Sequence, residues 1–568
     1  MDVTKESPSF RSPHPVGSGV WLSPGSSPRL PGVLRRASGW LAAVLAWTLF
    51  AVIYLGLQAS LPYVVKGIPA YFVVLFTFLM LGAVAFLAGS DKRWRFVLVI
   101  AFFLIMSGEL PVFFGATRLN TRVIETGLRL LLMAFVAIDT LALKRRVWPP
   151  FWIILIFAFQ IAILIASWVD AEYITEIQAT REVVIAHIAG IFLFVAAFVY
   201  ARSWKHVVSF SKVMVAGACA FAVLGIIEYF AGESYYRLYL RAFPGMQERI
   251  YLAVAHHRVI GPFDNQVAFG SWLAMFVVIP LALRANAVLF KKRLILSVAL
   301  AIIWLCLFFT GSRGPFLGAF FGFLIYSWLT GRVKKAFAIN IFAAFMVLLV
   351  VAHGARIAKI LPDNNLILRF VDPAAARRSG GDVFATVRDA RLEAWRDAVA
   401  EWRQRPVLGI GPAEWTQRRQ QIYEQGKVTT VSAFSPYLLY LVETGILGLG
   451  CVLLLMAVLA GYNVRMLAAL RPGPKRDLIA ALSVSCLVVH LVSLTDVGYG
   501  INRLFYFFWA AQGVLLSGAR LAIEEQTREA EGTPGVLQGW RRGWGAPSRL
   551  AAVSVASSRV SKSTGSLR

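Results

Sequence analysis

Arginine is costly in apolar sequence, and residue 313 is an arginine set between two apolar runs. It lies in Thr310-Gly311-Ser312-Arg313-Gly314-Pro315-Phe316-Leu317-Gly318, with 293–310 on one side and 314–330 on the other. A guanidinium at such a depth costs roughly 2.5–3.5 kcal/mol on insertion scales, so an arginine kept there is read as bound to something. The expected partner is a phosphate on a lipid-borne substrate.

A second arginine-rich stretch precedes it. Residues 231–266 hold Arg237, Arg241, Arg249 and Arg258 among Tyr235, Tyr236, Tyr239 and Tyr251, and end in Arg258-Val259-Ile260-Gly261-Pro262-Phe263-Asp264-Asn265. Arginine captures phosphate through two parallel hydrogen bonds, and tyrosine offers sugars a flat face and a hydroxyl. The same composition also suits a loop resting on lipid headgroups. A third candidate region is 354–434, where Arg388, Arg391, Trp395, Val399 and Trp402 recur at helical steps. That helix is predicted to stop at Arg405-Pro406, with Gly409-Ile410-Gly411-Pro412 as a turn, giving a small folded lid. Beyond it, Phe434-Ser435-Pro436-Tyr437 opens another helix, with Pro436 in its first turn and Glu443-Thr444-Gly445 inside it.

Membrane helices must position these residues. The chain is 58% hydrophobic and 15% charged, a balance foreign to soluble proteins. Apolar windows long enough to cross a ~30 Å hydrocarbon layer recur near 38–59, 68–90, 94–110, 122–142, 149–170, 183–202, 207–230, 267–285, 292–310, 314–331, 335–353, 435–460, 477–497 and 501–518. The expected fold class is therefore an all-α polytopic integral membrane protein with about 12–14 transmembrane helices and one large, partly helical outer loop.

The net charge of +27 would suggest nucleic acid in a soluble protein, but its placement gives it another meaning. Lys92, Arg93 and Arg95, then Lys144, Arg145 and Arg146, then Arg202 and Lys205 fall at alternate loops, and Lys291, Lys292 and Arg293, Lys334 and Lys335, and Arg465 through Arg476 continue the alternation. By the positive-inside rule these loops are cytoplasmic. Both termini are then cytoplasmic, 231–266 and 354–434 lie outside, and Arg313 stands at the outer boundary. The Ser-, Pro- and Arg-rich residues 1–37 read as a disordered cytoplasmic tail, 38–230 as N-terminal membrane helices, 231–450 as the functional core with its loop 354–434, 451–520 as C-terminal membrane helices and 521–568 as a second disordered tail.

Other charged or reactive residues have simpler readings. Cys219, Cys306, Cys451 and Cys486 lie far apart in apolar sequence, without a paired spacing, and read as core residues. Metal-binding and nucleotide-binding motifs with the right flanks are not present, so neither a metal nor a cofactor is expected. Arg122, Glu125 and Arg129 share one helix face and serve either to pair with one another or to reach carrier phosphates. Glu228, and Asp496 with Arg503, read either as groups that orient the basic site or as structural ion pairs, and His490 reads as a packing histidine held by a hydrogen bond.

Four blocks resemble the O-antigen ligase and polysaccharide polymerase superfamily of bacterial envelope glycosyltransferases. They are residues 258–265, residues 310–318, Arg391-Leu392-Glu393-Ala394-Trp395 with Pro406 through Gly411, and Tyr437-Leu438 with Glu443 through Gly448. The resemblance implies transfer of a glycan from a polyprenyl-diphosphate carrier at the outer face of the inner membrane to a glycan or lipid acceptor, with no cofactor and with other polysaccharide assembly proteins as further partners. It gives the diphosphate to Arg258 and Arg313, assistance from the lid to Arg391, and further substrate contacts to Tyr437 and Asn265. Glu443 becomes the candidate for positioning or activating the acceptor.

One position departs from the pattern. Ligases of the superfamily carry a His-Asn pair where this chain has Phe434-Ser435, and a phenyl ring takes no proton. Glu443, His256 and His257 are the alternatives, unless arginine-stabilised departure of the diphosphate suffices. The departure favours a polymerase over a ligase. A flippase or exporter of lipid-linked sugars is the reading from another class, although the matched half-sequences expected of a transporter do not occur.

Overall fold

An apolar segment in lipid must satisfy its own backbone groups, and among the described residues every regular element is a helix. The computed structural model describes residues 91–106, 128–137, 149–171, 177–231, 258–261, 263, 266–331, 383–424, 435–494 and 502–531. In chain order the helices are α1 (Lys92–Met106), α2 (Leu128–Ala137), α3 (Phe151–Asp170), α4 (Ile177–Tyr200), α5 (Trp204–Ala231), α6 (Gln266–Phe276), α7 (Val278–Ala285), α8 (Phe290–Phe309) and α9 (Arg313–Leu329). They continue with α10 (Val383–Gln404), α11 (Glu414–Glu424), α12 (Pro436–Ala469), α13 (Pro474–Ser493) and α14 (Asn502–Glu531).

Among the described residues, seven segments are long and apolar enough to cross a membrane: α3, residues 183–200 of α4, α5, α6 with α7, α8, α12 and α13. The chain is thus an all-α polytopic membrane protein. Helix α9 is apolar but has 17 residues, and α1 has 15. The spans expected near 38–59, 68–90 and 335–353 lie outside the described residues. Helices α6 and α7 form one span that is interrupted at Val277, because Pro280 cannot tolerate the carbonyl of Phe276 in a regular turn.

Close packing fixes the ends that matter for the site. The seam between α9 and α13 runs through Gly318, where a Cβ would lie 2.7 Å from Val492 Cγ2, and through Gly322, which Val488 covers. As numbering rises along α9 it falls along α13, so the two helices are antiparallel. The start of α9 and the end of α13 therefore share one end of the bundle. Helix α14 packs its aromatic face on α4, with Phe505 and Trp509 closing over Gly190.

At the other end of α14 the structure carries regular helix past Leu521, where the sequence suggests a tail, as far as Glu531. Charged residues sustain it there. Arg520 and Glu524 pair one turn apart at 3.7 Å, and Glu525 pairs with Lys475 at the start of α13.

Candidate functional site

The first cluster of site residues forms where α8 turns into α9. Helix α8 ends at Phe309, and Gly311 makes the turn at φ +64°, a left-handed conformation that glycine adopts without strain. Thr310 Oγ1 donates to Leu307 O at 2.7 Å, and Ser312 Oγ donates to Gln266 O at 3.1 Å, tying the turn to the start of α6. Arg258 lies directly over this turn. Val259 N donates to Phe309 O at 3.3 Å, and the Arg258 Cγ and Cδ stand 3.5 Å from where a Cβ on Gly311 would sit. The absent side chain of Gly311 thus makes the bed on which Arg258 rests, two residues from Arg313.

A buried carboxylate holds the other side of that loop. Glu228, 1% exposed near the end of α5, accepts hydrogen bonds from Ile260 N at 2.9 Å and Gly261 N at 2.8 Å. Phe263 packs on Phe269 and Trp272 of α6, and the Arg503 guanidinium lies 4.2 Å from its ring centroid. The sequence reading of Glu228 and Arg503 as ion-pair residues is therefore extended: both touch the loop that carries Arg258. Arg129, likewise buried, lies 5.3 Å over the Tyr506 ring, one turn along α14 from Arg503.

Arg313 opens α9 with an exposed side chain. Partial burial, followed by the nearby charge of Arg391, pushes its guanidinium below the ordinary value. Arg391 of the lid helix α10 thus lies within electrostatic reach of Arg313.

The second cluster is an interlock between the lid and a break in α12. Helix α10 spans Val383–Gln404, and the chain turns through Pro406 to Pro412 as the sequence predicts. Inside α12, Gly445 has φ 66° and ψ −167°, which interrupts the helical ladder. The turn takes up the groups so released. Ile410 N donates to Val442 O at 2.9 Å and Gly411 N to Glu443 O at 3.0 Å, while Ile446 N donates to Pro406 O at 2.9 Å. Glu443 O also accepts from Ser167 Oγ of α3 at 2.7 Å, and Pro412 O from Thr180 Oγ1 of α4 at 3.0 Å. Gly409 and Gly445 permit the approach: a Cβ on either would collide with the opposing backbone.

Ala398, Ile410, Trp415 and Val442 form an apolar core beneath the lid. Arg419 pairs with Asp397 and Glu393 and lies 5.2 Å over Trp415, which clamps α11 against α10. The Glu443 side chain is 6% exposed at the root of the lid, and its Oε1 has no hydrogen-bond partner among the described residues.

The third feature was only partly foreseen. Along α12, Tyr437, Tyr440 and Glu443 follow one another at successive turns, and two histidines meet the tyrosines from neighbouring helices. His490 Nδ1 of α13 lies 2.9 Å from the Tyr437 hydroxyl, and His187 Nε2 of α4 lies 2.7 Å from that of Tyr440. His490 is thus no isolated residue. His187 was missed altogether, although an ionisable side chain in an apolar helix is itself a signal.

The structure accordingly brings Arg258 to the turn beside Arg313, Arg391 to Arg313, Tyr437 to His490, and Glu443 to the root of the lid. Asn265, His256, His257 and Phe434 lie outside the described residues. Among the described residues no group of three or more His, Cys, Asp or Glu side chains is placed to hold a metal ion.

This arrangement is that of a polytopic membrane protein with a helical lid over a cationic turn. Residues 296–453 match the family model described as O-antigen ligase, which supports the resemblance to the O-antigen ligase and polysaccharide polymerase superfamily. The match contains Arg313, Arg391, Tyr437 and Glu443 and begins after Arg258. No curated protein matches the chain.

Proposed function

We propose that the protein is a bacterial inner-membrane glycosyltransferase that polymerises polyprenyl-diphosphate-linked oligosaccharide repeat units into an envelope polysaccharide, with inversion at the transferred sugar. The observation that carries this reading is the convergence of Arg258, Arg313 and Arg391 on one turn at the end of the bundle. Like charges gathered in this way are relieved by a multiply charged anion. A diphosphate supplies one, and its charge grows as the glycosidic bond breaks, so the same arginines favour the transition state over the bound substrate. No metal need take part in that neutralisation.

In this reading the carrier's chain lies in the membrane, the diphosphate sits at the periplasmic boundary under the lid, and both termini are cytoplasmic, as the charge alternation along the loops implies. Tyr437 and Asn265 complete the substrate contacts. Glu443, buried at the root of the lid, positions or activates the acceptor. A ligase that delivers finished glycan to a lipid or protein is the second reading, favoured by the description of the matched family.

Reconstitution tests both. Purified protein in liposomes with polyprenyl-diphosphate repeat units as the only sugar source should yield a ladder of products, and Arg313→Ala should reduce it by about 10²–10³-fold. Single transfer that appears only when a separate lipid or protein acceptor is added would replace the polymerase by the ligase. Donor that crosses the bilayer without any transfer would overturn both.

A further inference from the structure

Glycosyl transfer leaves one proton to be placed. As the acceptor oxygen bonds to the anomeric carbon, the carbon–oxygen bond to the diphosphate breaks and its electron pair departs with the diphosphate. The hydroxyl proton must go to another group. Guanidinium groups remain protonated and cannot take it. With inversion the hydroxyl approaches opposite the leaving group, so the proton acceptor stands across the site from the arginines rather than among them.

Of the buried carboxyl groups near the site, Glu228 accepts from Ile260 N and Gly261 N, whereas Glu443 sits at the root of the lid with its Oε1 unpaired among the described residues. The two histidine–tyrosine pairs on α12 differ in what they can do. His187 is 8% exposed and uses both ring nitrogens: Nδ1 lies 2.8 Å from Val183 O and so carries the proton, leaving Nε2 to accept from Tyr440. That pair ties α4 to α12. The outer pair lies one turn nearer the start of α12, where Tyr437 is only partly buried, and His490 stands in the last turn of α13. Since α9 and α13 are antiparallel, His490 shares the end of the bundle with Arg313, yet it projects toward α12 and away from the Gly318–Gly322 seam. On the Gly318–Val492 register His490 lies about seven residues, roughly 10 Å, farther into the bundle than Arg313 and on the α12 side, so the pair stands apart from the arginines rather than among them.

We propose that Tyr437 and His490 act together as the proton acceptor for the attacking hydroxyl. The hydroxyl proton passes to the Tyr437 oxygen while the phenolic proton moves to His490 Nδ1, and the imidazolium so formed returns its proton to water as the products leave. This gives the site a base although Phe434 supplies none, and it rests on the transferase reading above.

The test compares Tyr437→Phe with Tyr440→Phe, each reconstituted with a polyprenyl-diphosphate oligosaccharide donor and a glycan acceptor. Tyr437→Phe should lower kcat by about 10²-fold with donor KM and unfolding temperature unchanged, and Tyr440→Phe should keep the parent kcat. His490→Gln should lower kcat as Tyr437→Phe does, and the double variant should lose no more than either single one, as groups acting in one step do. Parent-like turnover by Tyr437→Phe would overturn the relay, and so would equal losses in both tyrosine variants with lowered unfolding temperatures, which would assign the tyrosines to packing. If Arg313→Ala abolishes transfer while Tyr437→Phe does not, only the relay fails; if the parent transfers nothing, the transferase reading falls with it.

Discussion

Two loops meet at the site, and each has a buried glutamate beneath it. The Glu228 carboxylate accepts from the loop of Arg258, whereas Glu443 meets the root of the lid through its backbone carbonyl, which accepts from Gly411 N. They differ in what else secures them. The Arg258 loop lies over a turn made by adjacent residues, Thr310 to Ser312, whose hydrogen bonds are mostly short in sequence. The lid root has no local alternative, because it exchanges hydrogen bonds with a helix that is broken to receive it.

If the lid root depends on the break, a side chain at Gly445 should do the greatest damage. Gly445→Ala combines a left-handed φ with a collision against the Val407 carbonyl, so a loss of more than about 3 kcal/mol is expected, seen as a collapse of monodisperse yield in detergent and a lower unfolding temperature. Retention of the parent's unfolding temperature would show that the interlock is dispensable.

The Arg258 loop should fail more gently. Glu228→Gln keeps the shape of the side chain but replaces one charge-assisted acceptor, costing about 1–3 kcal/mol, most of it in the placement of Arg258. Donor KM should rise while the protein stays folded. Loss of fold comparable to that of Gly445→Ala would erase the contrast between the loops.

At the small end, Gly450→Ala lies on the same helix as Gly445 but in open space, and it should be neutral or raise stability by up to about 1 kcal/mol. Destabilisation there would mean that α12 resists any change, and that the Gly445 result says nothing of the lid.

The elements could be read from the sequence because each is governed by local composition. Helix α10 stops at Arg405-Pro406 as expected, Pro436 opens α12, and the boundaries of α3, α5, α8 and α13 follow the apolar runs within a few residues, whereas α12 runs on from the expected 460 to Ala469 and α14 is not among the spans. Arg313 stood out since its cost is set by its immediate neighbours. What escaped is non-local. Nothing around Gly445 announces a break, since its compensation comes from Ile410 and Gly411, and Ser167 and Thr180 are ordinary polar residues until α12 and the lid turn reach them. His187 and His490 each have their tyrosine on another helix, so neither pair exists as a sequence pattern.

The break in α12 also divides the labour along that helix. From Ile446 to Ala469 it extends about 36 Å at 1.5 Å per residue, which by itself exceeds the ~30 Å of hydrocarbon that a span must cover. The portion from Pro436 to Thr444, with its two tyrosines and its glutamate, is therefore surplus to anchorage and free to serve as a mount for the lid. A lengthening or shortening of the bilayer would be absorbed by the long half, leaving the short half in register with the lid.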